Sequence, residues 1–124
     1  MQGEALVHVI DDDEAVRQSL AFLFKTVRLP AATYPDAEAF LSALSQIHGG
    51  CVVTDVRMPG MSGIDLLKRL RKLKNSIPVV VVTGHADVPL AVEAMKYGAV
   101  DFLEKPFDDD LLLQAVRAAL RDQD

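Results

Sequence analysis

The chain has a single cysteine, Cys51, so no internal disulfide can form, which suits a reducing, cytoplasmic setting. It is also short of positive charge: 13 Lys and Arg stand against 18 Asp and Glu, a net charge of −5. Sequence-independent binding of nucleic acid needs a basic surface, and this composition does not provide one. No apolar run is long enough to span a bilayer, so no membrane association is expected. The opening MQGEALVHV lacks a basic n-region and a long apolar stretch, so it is not read as a signal peptide. Neither a Walker A loop nor GxGxxG occurs, which leaves no support for a nucleotide in a glycine-rich cradle. The three histidines have no Cys or acid at zinc spacing. No repeat, low-complexity segment or Pro/Gly/Ser linker divides the chain. With 124 residues, 50% of them hydrophobic, one domain over residues 1–124 with its own core is expected.

What is present is alternation. Short apolar runs read as strands at 5–10 (ALVHVI), 31–34 (AATY), 50–54 (GCVVT), 77–83 (IPVVVVT) and 99–103 (AVDFL). Between them lie segments of helical period. The first places Val16, Leu20, Leu23 and Val27 on one face. The second starts at an expected N-cap, Asp36, and carries Phe40, Leu44 and Ile47. The third opens with Ser62 three residues before Asp65, close to a capping box. The fourth runs from Asp87, with Pro89 in its first turn, to Gly98. The last follows Asp108–Asp110, acids at a helix's positive end. Continuous apolar strands imply that both sheet faces are covered. Regular βα alternation implies a parallel sheet with right-handed crossovers, a doubly wound α/β fold.

In such a sheet, sites form beyond the carboxyl ends of the strands. Asp11 and Asp12 follow the first strand, Asp55 the third, Thr83 the fourth, and Lys105 with Pro106 the fifth. Four consecutive acids, Asp11 to Glu14, need an offset, because two like charges about 4 Å apart repel by roughly 4 kcal/mol at an effective dielectric of about 20. Solvent, a helix N-terminus or a bound cation would supply it. Clustered carboxylates are hard oxygen ligands of the kind Mg²⁺ requires. A carboxylate beside a cation, an ammonium and a hydroxyl has the groups that phosphoryl transfer to a carboxylate needs.

The pieces VIDDDE, TDVRMPGMSG, VVTGHAD and DFLEKPF, in this order and spacing, resemble a response-regulator receiver domain of two-component signalling. TGHADVPLAVEAMKYGAVDFLEKPF is most similar to the FixJ-type branch. The resemblance covers about residues 5–121. It implies a flavodoxin/CheY-like sheet of five parallel strands in the order 2-1-3-4-5 with five helices. It makes Asp55 the phosphoacceptor. Asp12 becomes a direct Mg²⁺ ligand, Asp11 an acid acting through water, and the Arg57 backbone carbonyl a further ligand. Thr83 becomes the hydroxyl that contacts the phosphoryl group and moves on activation, Lys105 its ammonium partner, and Pro106 a cis-proline. Phe102 takes the place of an aromatic rotamer switch; lacking a hydroxyl, it would act by shape alone. Arg57 and His85 stand where dephosphorylation is modulated. The resemblance also implies a sensor histidine kinase as phosphodonor, homodimerisation on phosphorylation, and contact with DNA only through a C-terminal domain absent from this chain. The implied role is a signalling switch that assists its own phosphorylation and dephosphorylation, not an enzyme with external substrates.

Two alternatives remain at this point. A pseudo-receiver would signal by binding without phosphorylation; the presence of Asp12, Asp55, Thr83 and Lys105 counts against it. A Mg²⁺-dependent aspartyl-phosphate phosphatase would carry a second acid two residues after the nucleophile, where this chain has Arg57. Plainer roles are available to single residues: helix-start charges for Asp13 and Glu14, a strand position for His8, a loop for His48, a small core residue for Cys51, and a solvated face for KRLRKLK (68–74).

Overall fold

A computed structural model describes residues 6–121. Its elements alternate as β1 (Val7–Ile10), α1 (Glu14–Thr26), β2 (Ala31–Tyr34), α2 (Ala37–Ala43), β3 (Cys51–Asp55), α3 (Gly63–Lys72), β4 (Val79–Thr83), α4 (Val88–Lys96), β5 (Asp101–Glu104) and α5 (Asp109–Arg121). The five strands are parallel, in the order β2-β1-β3-β4-β5. This is the expected doubly wound α/β fold.

Strand parity sorts the core into two layers. Ile10, Val52, Val79 and Val81 face one side and pack with Phe40, Leu66, Leu67 and Leu70. Val7, Val9, Val53, Val80 and Val82 face the other and pack with Phe24, Leu112 and Val116. A strand buried on both faces reads as a near-continuous apolar run, which is why VVVV stands in β4. Each large apolar side chain so buried contributes roughly 1.5–3 kcal/mol. The two edge strands differ: β2 and β5 are only partly buried.

The caps at Asp36, Ser62 and Asp87 accept the backbone N–H of Ala39, Asp65 and Leu90. Several expected boundaries move. Ala5, the expected start of the first strand, lies outside the described residues, as do Met1 to Glu4 of the opening segment and Asp122 of the last helix. The helix expected to continue to Ile47 tightens after Ala43 into a 3₁₀ turn, Leu44–Gln46. The fifth strand starts at Asp101 rather than Ala99. Gly98 has φ +86°, and the Ala99 N–H closes the end of α4 on the Ala94 carbonyl. Ala99 therefore belongs to a helix cap. The expected apolar face of the first helix omits Phe24, which is fully buried.

Candidate functional site

Parallel register brings distant residues to one edge of the sheet. Ile10 pairs with Thr54, Asp55 with Val82, and Thr83 with Glu104. Asp11, Asp12 and Lys105 therefore emerge beside Asp55. Carboxylate oxygens of Asp11, Asp12 and Asp55 lie within 4.8 Å of one another. Lys105 Nζ is 3.1 Å from Asp11 Oδ2 and 3.7 Å from Asp55 Oδ2. The Lys105 N–H donates to the Thr83 carbonyl at 2.8 Å, which continues the sheet ladder past β5 and places the lysine. The Lys105–Pro106 peptide bond is cis.

Asp11 is buried, and its polar groups all have partners. Its N–H donates to the Tyr34 carbonyl, Oδ1 accepts the Asp13 N–H at 2.9 Å, Oδ2 accepts Lys105, and its carbonyl accepts Arg17 Nη1 at 2.7 Å. Asp12 is exposed. Asp13 caps α1 by accepting the N–H groups of Ala15 and Val16, and Glu14 accepts from Gln18 one turn along. The four-acid run thus divides into two site residues and two helix-start charges.

Asp55 Oδ1 accepts the Val56 N–H at 2.8 Å. Burial pushes the Asp55 carboxyl above its ordinary range. Lys105 pulls it down, Asp11 pushes it up, the Val56 N–H pulls it down and Asp12 pushes it up, and the net shift is upward. The group is held short of full solvation and close to other negative charge, so a cation or an esterifying group that removes this cost is favoured there.

The other candidate residues are placed more loosely. Thr83 is fully buried at the end of β4, where its hydroxyl accepts the His85 N–H at 3.1 Å. That bond leaves its own proton free to donate. Among the described residues, no hydrogen bond joins this hydroxyl to Asp55. Arg57 and His85 are exposed. Phe102 is partly buried against the α2–α3–α4 layer. Beside the site, an open cleft of about 550 Å³ is lined by Arg57, Met58, Pro59, Leu90 and Glu93, among others.

Two residues were missed in the sequence. Gly63 opens α3 so close to β3 that any Cβ would overlap the Asp55 carbonyl oxygen. A glycine immediately after the Ser62 cap, where a better helix former is favoured, is the available signal. Arg17 has no such signal, since its link to Asp11 depends on the fold of the intervening turn.

The cluster fits a divalent cation by its chemistry: three carboxylates offer hard oxygen ligands at close range. The family model for the response regulator receiver domain matches residues 7–117. The chain belongs to this family. As a receiver domain it is 53% identical to "Transcriptional regulatory protein FixJ" of Bradyrhizobium diazoefficiens, over 98% of this chain and 59% of that protein. It is 60% identical to FixJ of Azorhizobium caulinodans, over 92% of this chain and 54% of the relative. The chain thus spans little more than half the length of these relatives. A crystal structure described as FixJ-N superposes with a TM-score of 0.88 at 50% identity, covering 98% of this receiver domain and 96% of that chain. Among the described residues, no helix is long and apolar enough to cross a membrane.

Proposed function

We propose that this receiver domain is a phosphorylation-dependent switch with Asp55 as its acceptor. The observation that carries the reading is Lys105, whose ammonium lies between the Asp11 and Asp55 carboxylates. Asp55 is the carboxylate that is only partly buried there, with a side-chain exposure of 13% against 2% for Asp11. In the reading, a sensor histidine kinase presents phosphohistidine at the sheet edge. An Asp55 oxygen forms the new bond to phosphorus as the phosphorus–nitrogen bond breaks, and the departing imidazole takes up a proton. Asp11, Asp12, Asp55 and the Arg57 carbonyl would hold Mg²⁺, which supplies charge neutralisation at the phosphoryl oxygens. Lys105 steadies the same charge, and Thr83 donates its free proton to it. Arg57 and His85, both exposed at the rim, control access of water to the acyl phosphate.

The phosphoryl group adds charge and acceptor oxygens. Thr83 and Lys105 gain contacts in one of two states, and Phe102 repacks into the space Thr83 leaves. Moving a population from 1:99 to 99:1 takes about 5.5 kcal/mol of differential contact. A few charge-assisted hydrogen bonds supply most of that. The output face is α4–β5–α5, where Val88, Val92 and Met95 are exposed. It controls homodimerisation or an attached transcription-regulating domain. Residues 1–124 form one receiver unit acting in the cytoplasm, with DNA contacted only through a C-terminal domain outside this chain.

Intact mass after incubation with Mg²⁺ and a small-molecule phosphodonor tests the reading. Gain of one phosphoryl group by the native chain and none by Asp55→Asn supports it. Equal gain by both moves the acceptor to another residue. No labelling of the native chain, with Mg²⁺ bound and no phosphate released, would favour the pseudo-receiver. Steady release of phosphate would favour the phosphatase.

A further inference from the structure

Asp12 differs from its neighbours in the acidic cluster. It is exposed, and among the described residues no hydrogen bond or ion pair holds its carboxylate. Its aim into the cluster is therefore set by the two peptide planes on either side of it. The following plane is pinned by the Asp13 N–H, which donates to Asp11 Oδ1 at 2.9 Å. The preceding plane is pinned by Arg17, whose Nη1 donates to the Asp11 carbonyl at 2.7 Å. Arg17 itself stands on the first full turn of α1, where its N–H donates to the Asp13 carbonyl. Its side chain is partly buried. The guanidinium thus ties the β1–α1 turn back to the helix that the turn begins.

We propose that Arg17 is a positioning residue for the cation site, acting through the Asp11–Asp12 peptide. This rests on the reading above, in which Asp12 helps to hold Mg²⁺. Two effects of the guanidinium oppose each other. Its charge repels a cation at the cluster, so deleting the charge alone would tighten Mg²⁺ binding. Its hydrogen bond orients a ligand-bearing peptide, so deleting the bond would weaken binding, and partners of this kind are worth about 10–100-fold in metal affinity. The sign of the change therefore separates the two roles. A charge-assisted bond of 2.7 Å to a carbonyl one residue from the ligand favours orientation as the larger effect.

Calorimetric Mg²⁺ titration of the native chain, Arg17→Met and Arg17→Lys provides the test, with amide hydrogen exchange of the metal-free proteins alongside. Arg17→Met keeps the apolar stem and loses charge and donors; Arg17→Lys keeps the charge and one donor group. Mg²⁺ affinity, measured well below the melting transition, is expected to fall about tenfold or more in Arg17→Met, with faster exchange at the Asp13 amide. The melting temperature should fall as well, because the carbonyl of buried Asp11 loses a charge-assisted bond. Arg17→Lys is expected to recover part of the affinity and of the exchange protection, and it serves alone if the Met variant does not fold. Equal or tighter Mg²⁺ binding by Arg17→Met, with native exchange at Asp13, would overturn the proposal and leave Arg17 as charge only. Failure of the native chain to bind Mg²⁺ would strike the metal reading instead, and exchange at Asp13 would then judge the clamp by itself.

Discussion

At the scale of single residues, Asp55 is destabilising where it stands. Burial, the largest cause, raises its carboxyl above the ordinary 3.8. The folded chain therefore holds this proton more tightly than the unfolded chain does. Stability falls as pH rises from 3.8 through the raised folded value, and the cost persists above it. In metal-free buffer at pH 7, Asp55→Asn should melt higher than the native chain, with the gain vanishing below pH 3.8; a pH series of melting curves measures this. Gly63 makes the opposite case. A methyl group there meets the Asp55 carbonyl, so Gly63→Ala should lose about 1–3 kcal/mol in urea unfolding through overpacking. It should also slow phosphorylation, since the backbone that carries Asp55 must shift. The placement of Asp11, Asp12, Asp55 and Lys105 at one edge was legible because parallel strands all end on the same side. The helix-start roles of Asp13 and Glu14 were legible too, because Ile10 is the last apolar residue of the strand. Gly63 and Arg17 were not, since both act through approaches that exist only once β1, β3 and their helices are packed.

At the scale of elements, α4 is held unevenly. Only Ala94 is buried along it. Its C-terminal end is tied down by Arg71 of α3, whose guanidinium donates to the carbonyls of Tyr97 and Gly98 and, on the β4 side, of Asn75 and Ile77. Lys68 adds an ion pair to Glu93 and lies over the Tyr97 ring. At the other end, a Cβ on Gly84 would have nothing within 4 Å. Arg71→Met should cost about 2 kcal/mol in urea unfolding, because charge-assisted bonds to several carbonyls are lost together. Amide exchange should rise mainly around residues 97–99, with the first turn of α4 already fast in the native chain. The caps at Asp36, Ser62 and Asp87 were readable beforehand, because they stand where short polar side chains precede apolar periodicity. The Arg71 tie was not: KRLRKLK reads as a solvated face, whereas Leu70 is fully buried and Arg71 reaches carbonyls that come together only once α3, α4 and β4 are packed. The start of β5 was not, because AVDFL reads as one apolar run while Gly98 spends its first residue on closing α4.

At the scale of the whole molecule, the sheet separates two apolar layers, and the surface left over is uneven. Val88, Val92 and Met95 leave an apolar stripe on α4, exposed by 75%, 59% and 50%. Val92→Glu should change unfolding free energy by less than about 0.5 kcal/mol, as an exposed position. If α4 is the output face, the same change should keep the phosphorylated chain monomeric in sedimentation velocity while the native phosphorylated chain dimerises; a dimer formed equally by both would move the interface off this helix. Cys51 gives the molecule a different kind of usefulness. It is fully enclosed in β3, and burial pushes its thiol up to about 12. At neutral pH it is a thiol rather than a thiolate, and maleimide or iodoacetamide reagents have neither the nucleophile nor the access they need. A cysteine introduced at an exposed site such as Val88 would be the reactive one, so a fluorophore or spin label can be attached there without first removing the native sulfur.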